Sequence, residues 1–295
     1  MGKPTLTPYT QGELLSDRAK KNGDRIFLYF KDQTYSYNDM DRYANRCANA
    51  FVKQGIKKGD MVSIMLMNCP EYMFIWFGSA RVGAIEVPIN TSFKGEFLRH
   101  LIDQSDSKML FIDREYLDRL KLIQDDLKKL EKVIVLGGLT PEDQAGIKFP
   151  MISWEEFFAA PGTPVDIKIY PTDPQNIIFT SGTTGLSKGT LGPHKMWIAI
   201  AEQLNPLREA SRDDIFYTFL PLYHMNAQCL TTITALLCEG QVVLSDKFSA
   251  SKFWEDIRKY NATQFNYLGA VIPILEKQPE KPDDLDNPVK IAFGA

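Results

Sequence analysis

Asn176-Ile177-Ile178-Phe179-Thr180-Ser181-Gly182-Thr183-Thr184-Gly185-Leu186-Ser187-Lys188-Gly189 is the stretch on which the reading of this chain turns. Its first part is β-branched and aromatic, the composition of a buried strand. The run breaks directly into Thr180 to Gly185, where no residue has a large side chain. Such a segment makes a poor core and a good anion cradle. Glycines let backbone N–H groups point inward, and hydroxyls add further donors. Lys188 brings one mobile positive charge to the same place. A linker of glycine and hydroxyl residues would not follow a strand so closely or end in a single lysine. The common nucleotide loop G-x-x-x-x-G-K-[ST] is excluded, because Ser187 precedes Lys188 and Gly189 follows it. The pattern describes a polyphosphate loop of another kind.

Outward from this loop, strands and helices alternate. Upstream, Thr10 to Asn22 reads as a helix, and Ile26 to Phe30 with Gln33 to Tyr37 as a hairpin. Ser36 and Asp39 form a helix-starting box. Behind it Met40, Tyr43, Ala44, Cys47 and Phe51 share one face of a helix. Met61 to Met67, Ala84 to Ile89, Lys108 to Ile112 and Lys132 to Leu136 read as strands. They are separated by helices opening at Pro70, at Lys94 and, as a charged amphipathic helix, over Glu115 to Leu130. Downstream come helices over Lys195 to Gln203, Gln228 to Cys238 (capped by Gly240), Lys252 to Tyr260 and Ile272 to Lys277. The strands there are Ile215 to Leu220, Gln241 to Leu244, Thr263 to Leu268 and Val289 to Phe293. This alternation predicts an α/β fold of mostly parallel β-sheets flanked by helices. In such sheets ligands bind at the carboxyl ends of strands, where the Thr180 loop must lie. Gly137 to Pro174 is rich in proline and short of periodic segments, apart from a helix near Trp154 to Phe158. It is the predicted boundary between a first αβ subdomain, 1–170, and a second, 171–295, that carries the loop.

Composition limits the function classes. The chain has 295 residues, a net charge of −3 and 44 % hydrophobic residues, so there is no basic footprint for nucleic acid. Cys47, Cys69, Cys229 and Cys238 form no C-x-x-C pair, which reads as free thiols in a reducing compartment. The amino terminus lacks the apolar core of a signal peptide, and no apolar run is long enough to span a bilayer. The expected location is cytoplasmic.

Three further segments carry chemistry. His224 follows the strand ending at Leu220, within Pro221-Leu222-Tyr223-His224, and the strand end would set it beside the phosphate loop. Gly269, in Asn266-Tyr267-Leu268-Gly269-Ala270, either permits close approach of a ligand or makes a plain tight turn. Ile291-Ala292-Phe293-Gly294-Ala295 closes the sequence.

Thr180 to Gly189 resembles the signature loop of the adenylate-forming acyl-CoA synthetase superfamily, with Ser187 where the usual pattern has proline. Arg81 to Asn90 matches the family's A-x-x-G-A-x-x-x-P-[ILV] element, whose role is structural. Asn68 to Asn90 and Arg212 to Tyr260 look most like the crotonobetaine/carnitine-CoA ligase branch. The resemblance implies two stacked αβ subdomains of a large N-terminal domain, truncated here, and an AMP-forming acid–CoA ligase using ATP, Mg²⁺ and coenzyme A. A carboxylate attacks the α-phosphorus of ATP, and the thiol of coenzyme A then displaces AMP. By the same resemblance Lys188 and His224 serve catalysis. Thr180, Ser181, Gly182, Thr183, Thr184, Gly185, Lys188, Gly294 and Ala295 hold the nucleotide, and His224 and Gly269 line the acid site. Thr180 is the candidate to touch magnesium. The partners implied are small molecules, with a homodimer as the candidate assembly. An amino-acid adenylation domain is disfavoured, because Leu222, Tyr223 and His224 occupy the stretch where those enzymes place an aspartate. A non-catalytic binding module is the remaining alternative. The family's Tyr-Gly-x-Thr-Glu segment, its ribose-binding aspartate and its small mobile domain are not in the sequence. This stretch alone is therefore expected to bind ATP weakly and to turn over little.

Overall fold

The structure, a computed structural model, describes residues 9–180 and 187–294, and of Thr180 the backbone only. In chain order the strands are β1 (Ile26–Phe30), β2 (Gln33–Ser36), β3 (Met61–Met65), β4 (Ile85–Pro88), β5 (Met109–Asp113), β6 (Lys132–Leu136), β7 (Met151–Ser153), β8 (Pro174–Thr180), β9 (Lys188–Pro193), β10 (Ile215–Thr218), β11 (Gln241–Leu244), β12 (Gln264–Tyr267) and β13 (Ile291–Gly294). They form two mixed, mostly parallel sheets with flanking helices, as the alternation predicts.

The chain contains two compact units, each drawn from separate stretches of sequence. One joins Leu14–Met40 to Met196–Ala295, and the other joins Tyr9–Glu13 to Asp41–Lys195. Strand pairing is the reason. β1 pairs in parallel with β11, Leu28 opposite Val242, so the amino-terminal hairpin belongs to the later sheet. β8 pairs in parallel with β4, Glu86 opposite Asn176, so the phosphate-loop strand belongs to the earlier one.

The unit containing Asp41–Lys195 is built on the order β7-β6-β5-β3-β4-β8-β9, parallel throughout except for β8 with β9. Val62, Ile64, Met65, Leu110, Phe111, Ile112, Val133, Ile134 and Val135 are all fully buried. Near-continuous apolar strands of this kind are what a parallel sheet covered on both faces requires. The helix Pro70–Val82 returns the chain from β3 to β4. Its first residue is proline, and Gly83 ends it in a left-handed conformation at φ 70°. The helix is apolar nearly all round and correspondingly buried, Tyr72 to Ala80 included. It approaches the helix Tyr37–Lys53 across Gly78, where an added Cβ would stand 2.4 Å from Cys47 Cβ and 3.1 Å from the Ala44 carbonyl oxygen.

His194 is fully buried in the same unit. Its Nδ1 accepts from the Gln11 backbone N–H at 3.4 Å, and the Gln11 side chain donates to the His194 carbonyl at 3.3 Å. Trp76 Nε1 donates to Gln11 Oε1 at 2.9 Å, which completes the tie. Burial lowers the imidazole pKa to about 4, with Asp173 opposing and Lys58 adding to the shift.

In the other unit the order is β13-β12-β10-β11-β1-β2, parallel except for β1 with β2. The predicted box is present: Asp39 N–H donates to Ser36 Oγ at 3.0 Å, and Ser36 N–H donates to Asp39 Oδ2 at 3.0 Å. Arg208 is buried with its guanidinium 5.2 Å from the Phe216 ring centre and 4.8 Å from that of Phe293, and Nε donates to Gln264 Oε1 at 3.2 Å. Burial brings its pKa down to about 10.

Several elements differ from expectation. The helix over Glu115 to Leu130 is broken into the short pieces Arg114–Tyr116, Leu117–Lys121 and Gln124–Asp126. The helix over Gln228 to Cys238 begins instead as a π-helix, Asn226–Ile233, and continues as Thr234–Cys238. Its left-handed cap is Glu239, at φ 62°, rather than Gly240. Gly240 has a different purpose, since an added Cβ would meet the Asp214 carbonyl oxygen at 2.9 Å.

Two outcomes follow from this packing. In an open helix Gly→Ala gains about 1 kcal/mol, whereas overpacking costs about 1–3 kcal/mol. Gly78→Ala therefore lowers stability by up to about 2 kcal/mol, read from the urea unfolding midpoint. For His194 the folded pKa lies below the unfolded value of 6.5, so the unfolded chain takes up the proton first as pH falls. Stability is lost from pH 6.5 towards 4, roughly 2–3 kcal/mol between pH 7.5 and 4.5. In unfolding measurements at those two pH values, His194→Gln removes that part of the acid slope.

Candidate functional site

The segment predicted to be a phosphate loop is flanked by paired strands. β8 and β9 are antiparallel with Phe179 opposite Gly189 and Thr180 opposite Lys188. The segment between them, with the predicted residues Ser181, Gly182, Thr183, Thr184 and Gly185, lies outside the described residues, as does Ala295. Thr180 ends β8 at its carboxyl end, and Lys188, an exposed residue, starts β9.

β9 was not foreseen. Lys188-Gly189-Thr190-Leu191-Gly192-Pro193 has two glycines and a proline and no apolar alternation, which suits an exposed edge strand and little else. Gly189 has a packing reason. An added Cβ would stand 2.6 Å from Ile177 Cγ2 and 3.4 Å from the Phe179 ring, so glycine lets β9 close on β8 immediately after Lys188.

One contact at the loop's exit involves a residue that sequence reasoning missed. His100, half-buried on the helix Gly95–Gln104, sets Nε2 2.9 Å from the Ser187 carbonyl oxygen. A carbonyl only accepts, so Nε2 carries the proton and donates. The same ring meets Phe179 edge-on, centroids 6.5 Å apart. His100 touches the strand entering the loop and the residue leaving it. Nothing in the sequence pointed to it, because 87 positions separate the partners.

In the other unit the carboxyl ends of the parallel strands bring the remaining predicted residues to one edge. β10 ends at Thr218, and His224 follows in a turn in which its N–H donates to the Pro221 carbonyl at 3.0 Å. The ring packs edge-on against Tyr223 at 4.8 Å between centroids. His224 is exposed as a residue, yet the protein around its ring desolvates it enough to hold the pKa below the usual imidazole value. At neutral pH it is uncharged and offers one donor and one acceptor.

Asn226 opens the π-helix and is fixed to β12: Asn266 Nδ2 donates to Asn226 Oδ1 at 2.7 Å and to Thr231 Oγ1 at 3.0 Å. Asn266 is buried, and its own Oδ1 has no hydrogen-bond partner among the described residues. A buried amide oxygen left in that state is a place for a water or a ligand donor. Gly269 lies exposed in the turn after β12. Gly294 pairs with Tyr267, and an added Cβ would meet the Tyr267 carbonyl oxygen at 2.5 Å and its ring at 2.7 Å. Only a bare backbone fits there. A cavity of about 880 Å³ in this unit is lined by Trp254, Phe265, Ile272 and Leu275, and His224, Gly269 and Gly294 are not among its walls.

The donor set fits a nucleotide in kind. Hydroxyls, glycine amides and a lysine suit phosphates, and the bare edge at Gly294 suits close approach of a ligand. Among the described residues no group of three or more His, Cys, Asp or Glu could hold a metal ion. Magnesium carried in on a triphosphate needs only one or two protein ligands.

The family model for AMP-binding enzymes matches residues 15–295. This chain belongs to the AMP-binding enzyme family. It is 33 % identical over 279 residues to the crotonobetaine/carnitine–CoA ligase of Salmonella heidelberg (strain SL476), covering 92 % of this chain and 53 % of the relative. It is 32 % identical, with the same coverage, to the enzyme of that name from Salmonella typhi. The chain thus spans about half the length of the curated relatives it matches. Among solved structures, an anthranilate CoA ligase in complex with anthranoyl-AMP superposes with a TM-score of 0.87 at 20 % identity, over 97 % of this chain and 55 % of that one. The apo structure of MbtA from Mycobacterium smegmatis gives 0.87 at 22 %, over 98 % and 52 %. These likenesses establish the fold.

The crowding at Gly294 is directly testable. Gly294→Ala separates β13 from β12, and amide exchange at Phe293 and residue 294 accelerates by about tenfold, read by hydrogen–deuterium exchange. Rates equal to wild type would show that the edge tolerates a side chain.

Proposed function

We propose that this chain supplies the phosphate loop and the acid-facing segments of an AMP-forming acid–CoA ligase. The observation that carries the reading is the closed base of the loop, Thr180 opposite Lys188, in a chain of the AMP-binding family. In the first half-reaction a carboxylate oxygen bonds to the α-phosphorus of ATP and the bond to the β-phosphate oxygen breaks, releasing pyrophosphate. In the second, the sulfur of coenzyme A bonds to the acyl carbon, AMP leaves, and the thiol proton passes to solvent.

The physical difficulty of the first step is that an anion must approach a polyanion. Lys188 and the amides and hydroxyls of Ser181, Gly182, Thr183, Thr184 and Gly185 would hold the β- and γ-phosphates and stabilise the charge that develops on leaving pyrophosphate. Magnesium, when bound, supplies further positive charge on the phosphate oxygens, with Thr180 as the candidate residue to touch it. His224 would face the acid carboxylate and the α-phosphate as a neutral hydrogen-bonding group. It is not needed as a base, because a carboxylate has already lost its proton at neutral pH. Gly294 and Ala295 would pack against the adenine, and Gly269 against the acyl group.

For the acid itself, the 33 % identity favours a carnitine-like carboxylate over other acids as the first to assay. An amino-acid substrate is disfavoured by Leu222, buried, and by Tyr223 and His224 in the segment where an ammonium-binding aspartate would stand. The free thiols of Cys47, Cys69, Cys229 and Cys238 suit a reducing, cytoplasmic setting, and no helix among the described residues is long and apolar enough to cross a membrane.

The reading is tested by equilibrium dialysis of the chain with Mg-ATP and with AMP. Lys188→Ala is expected to weaken ATP about tenfold while changing AMP less than twofold, since one charge-assisted contact to the outer phosphates is worth about 1.5 kcal/mol. Equal ATP affinity in the variant and the wild type would sink it.

A further inference from the structure

We infer that His100 is a positioning residue for Lys188, acting through the Ser187 carbonyl. The inference rests on the proposed role of Lys188 towards the ATP phosphates and adds a residue to it.

The geometry is specific. His100 Nε2 donates to the Ser187 oxygen at 2.9 Å, and the ring lies edge-on to Phe179. Ser187 is the residue immediately before Lys188. Across a planar trans peptide the Ser187 carbonyl and the Lys188 N–H point in opposite directions, and no peptide bond among the described residues is cis. Holding that carbonyl against the imidazole therefore sets the plane of the Ser187–Lys188 peptide. Together with the pairing of Lys188 opposite Thr180, it sets the direction in which the Lys188 side chain leaves the backbone.

The strand pairing alone fixes less. Lys188 is the first paired residue of β9, opposite the last residue of β8, and strand ends fray unless something beyond the ladder holds them. Among the described residues β9 is also the exposed edge of its sheet, with no further strand on its outer side. His100 comes from outside the hairpin, on the helix that follows β4, and β4 pairs with β8. The strand entering the loop and the residue leaving it are thereby referred to one rigid element. Preorganisation of this kind changes affinity by lowering the ordering cost of a flexible charged side chain.

The chemistry needed at position 100 is a hydrogen-bond donor at the reach of Nε2. A ring without the donor keeps the Phe179 contact and loses the anchor, whereas a glutamine places an amide N–H at similar reach and keeps it. His100→Phe is expected to raise the dissociation constant for Mg-ATP about fivefold to tenfold, with AMP unchanged, while His100→Gln stays within about twofold of wild type. In a Lys188→Ala background His100→Phe is expected to add nothing, because the two act in series. Amide exchange at Lys188 and Gly189 should rise in the Phe variant and return in the Gln variant, and this readout does not depend on nucleotide.

Three outcomes overturn the inference: His100→Phe binding ATP as wild type does while Lys188→Ala is weakened, additive losses in the double variant, or unchanged exchange at Lys188. If Lys188→Ala itself leaves ATP affinity intact, the proposed function fails first and is distinguished by that result. A Phe variant that loses its melting transition refers the decision to the Gln variant, where a loss of ATP affinity with normal folding and normal exchange would also refute the role.

Discussion

The pairing of Thr180 with Lys188 is the constraint on which the proposed phosphate site depends. The antiparallel steps Phe179–Gly189 and Thr180–Lys188 bring the two ends of the intervening segment together, so the entropic cost of that loop closure is met by the sheet itself. Gly189 makes the closure possible, because any larger residue would push β9 off Ile177 and Phe179. The residue that matters for strand approach and the residue that carries charge are thus neighbours, and neither can be moved without the other.

The second sheet solves a related problem by different means. Its parallel strands deliver Gly294, Gly269 and the segment before Asn226 to a common carboxyl edge, the place where open α/β sheets bind ligands. Asn266 holds the start of the π-helix to β12 through Asn226 and Thr231. A π-turn displaces the following side chains relative to an α-helix and recurs where a helix must present a group it would otherwise hide. Here the change begins two residues after His224. Arg208 stabilises the same region from inside the fold, with its cation enclosed by Phe216 and Phe293 and its pKa lowered by burial. A buried cation without such partners would be far more costly.

Much of this was legible in the sequence, and the reasons are local. Continuous apolar runs such as Leu110-Phe111-Ile112 announce buried parallel strands, and Ser36 with Asp39 announces a helix start, since both signals are written in adjacent residues. β9 was illegible because an exposed edge strand needs no apolar alternation and this one carries Gly189, Gly192 and Pro193. The pairing of β1 with β11 was illegible because strand order is not a local property: the partners lie more than two hundred residues apart, and no composition shift marks them. The π-helix escaped because its apolar residues fit a 3.6-residue period well enough over so short a span. His100 was passed over for the same non-local reason, and the orphaned Asn266 oxygen is a fact of packing that no spacing encodes.

Magnitudes decide how the proposed phosphate site would divide its work. A lysine 4 Å from a phosphate oxygen is worth about 4 kcal/mol at an effective dielectric near 20 and only about 1 kcal/mol in water. Lys188 is exposed, which places it towards the weaker limit until a ligand displaces the solvent. Each hydrogen bond from a neutral donor to a charged oxygen contributes about 1.5–3 kcal/mol, so the donors that Ser181 to Gly185 can offer outweigh the lysine in holding the ground state. The lysine's advantage grows as charge accumulates on departing pyrophosphate, because a full positive charge responds to added negative charge more steeply than a dipole does. A fixed direction for its side chain then counts for more than its average attraction. The anchor at Ser187 is where this fold supplies that direction.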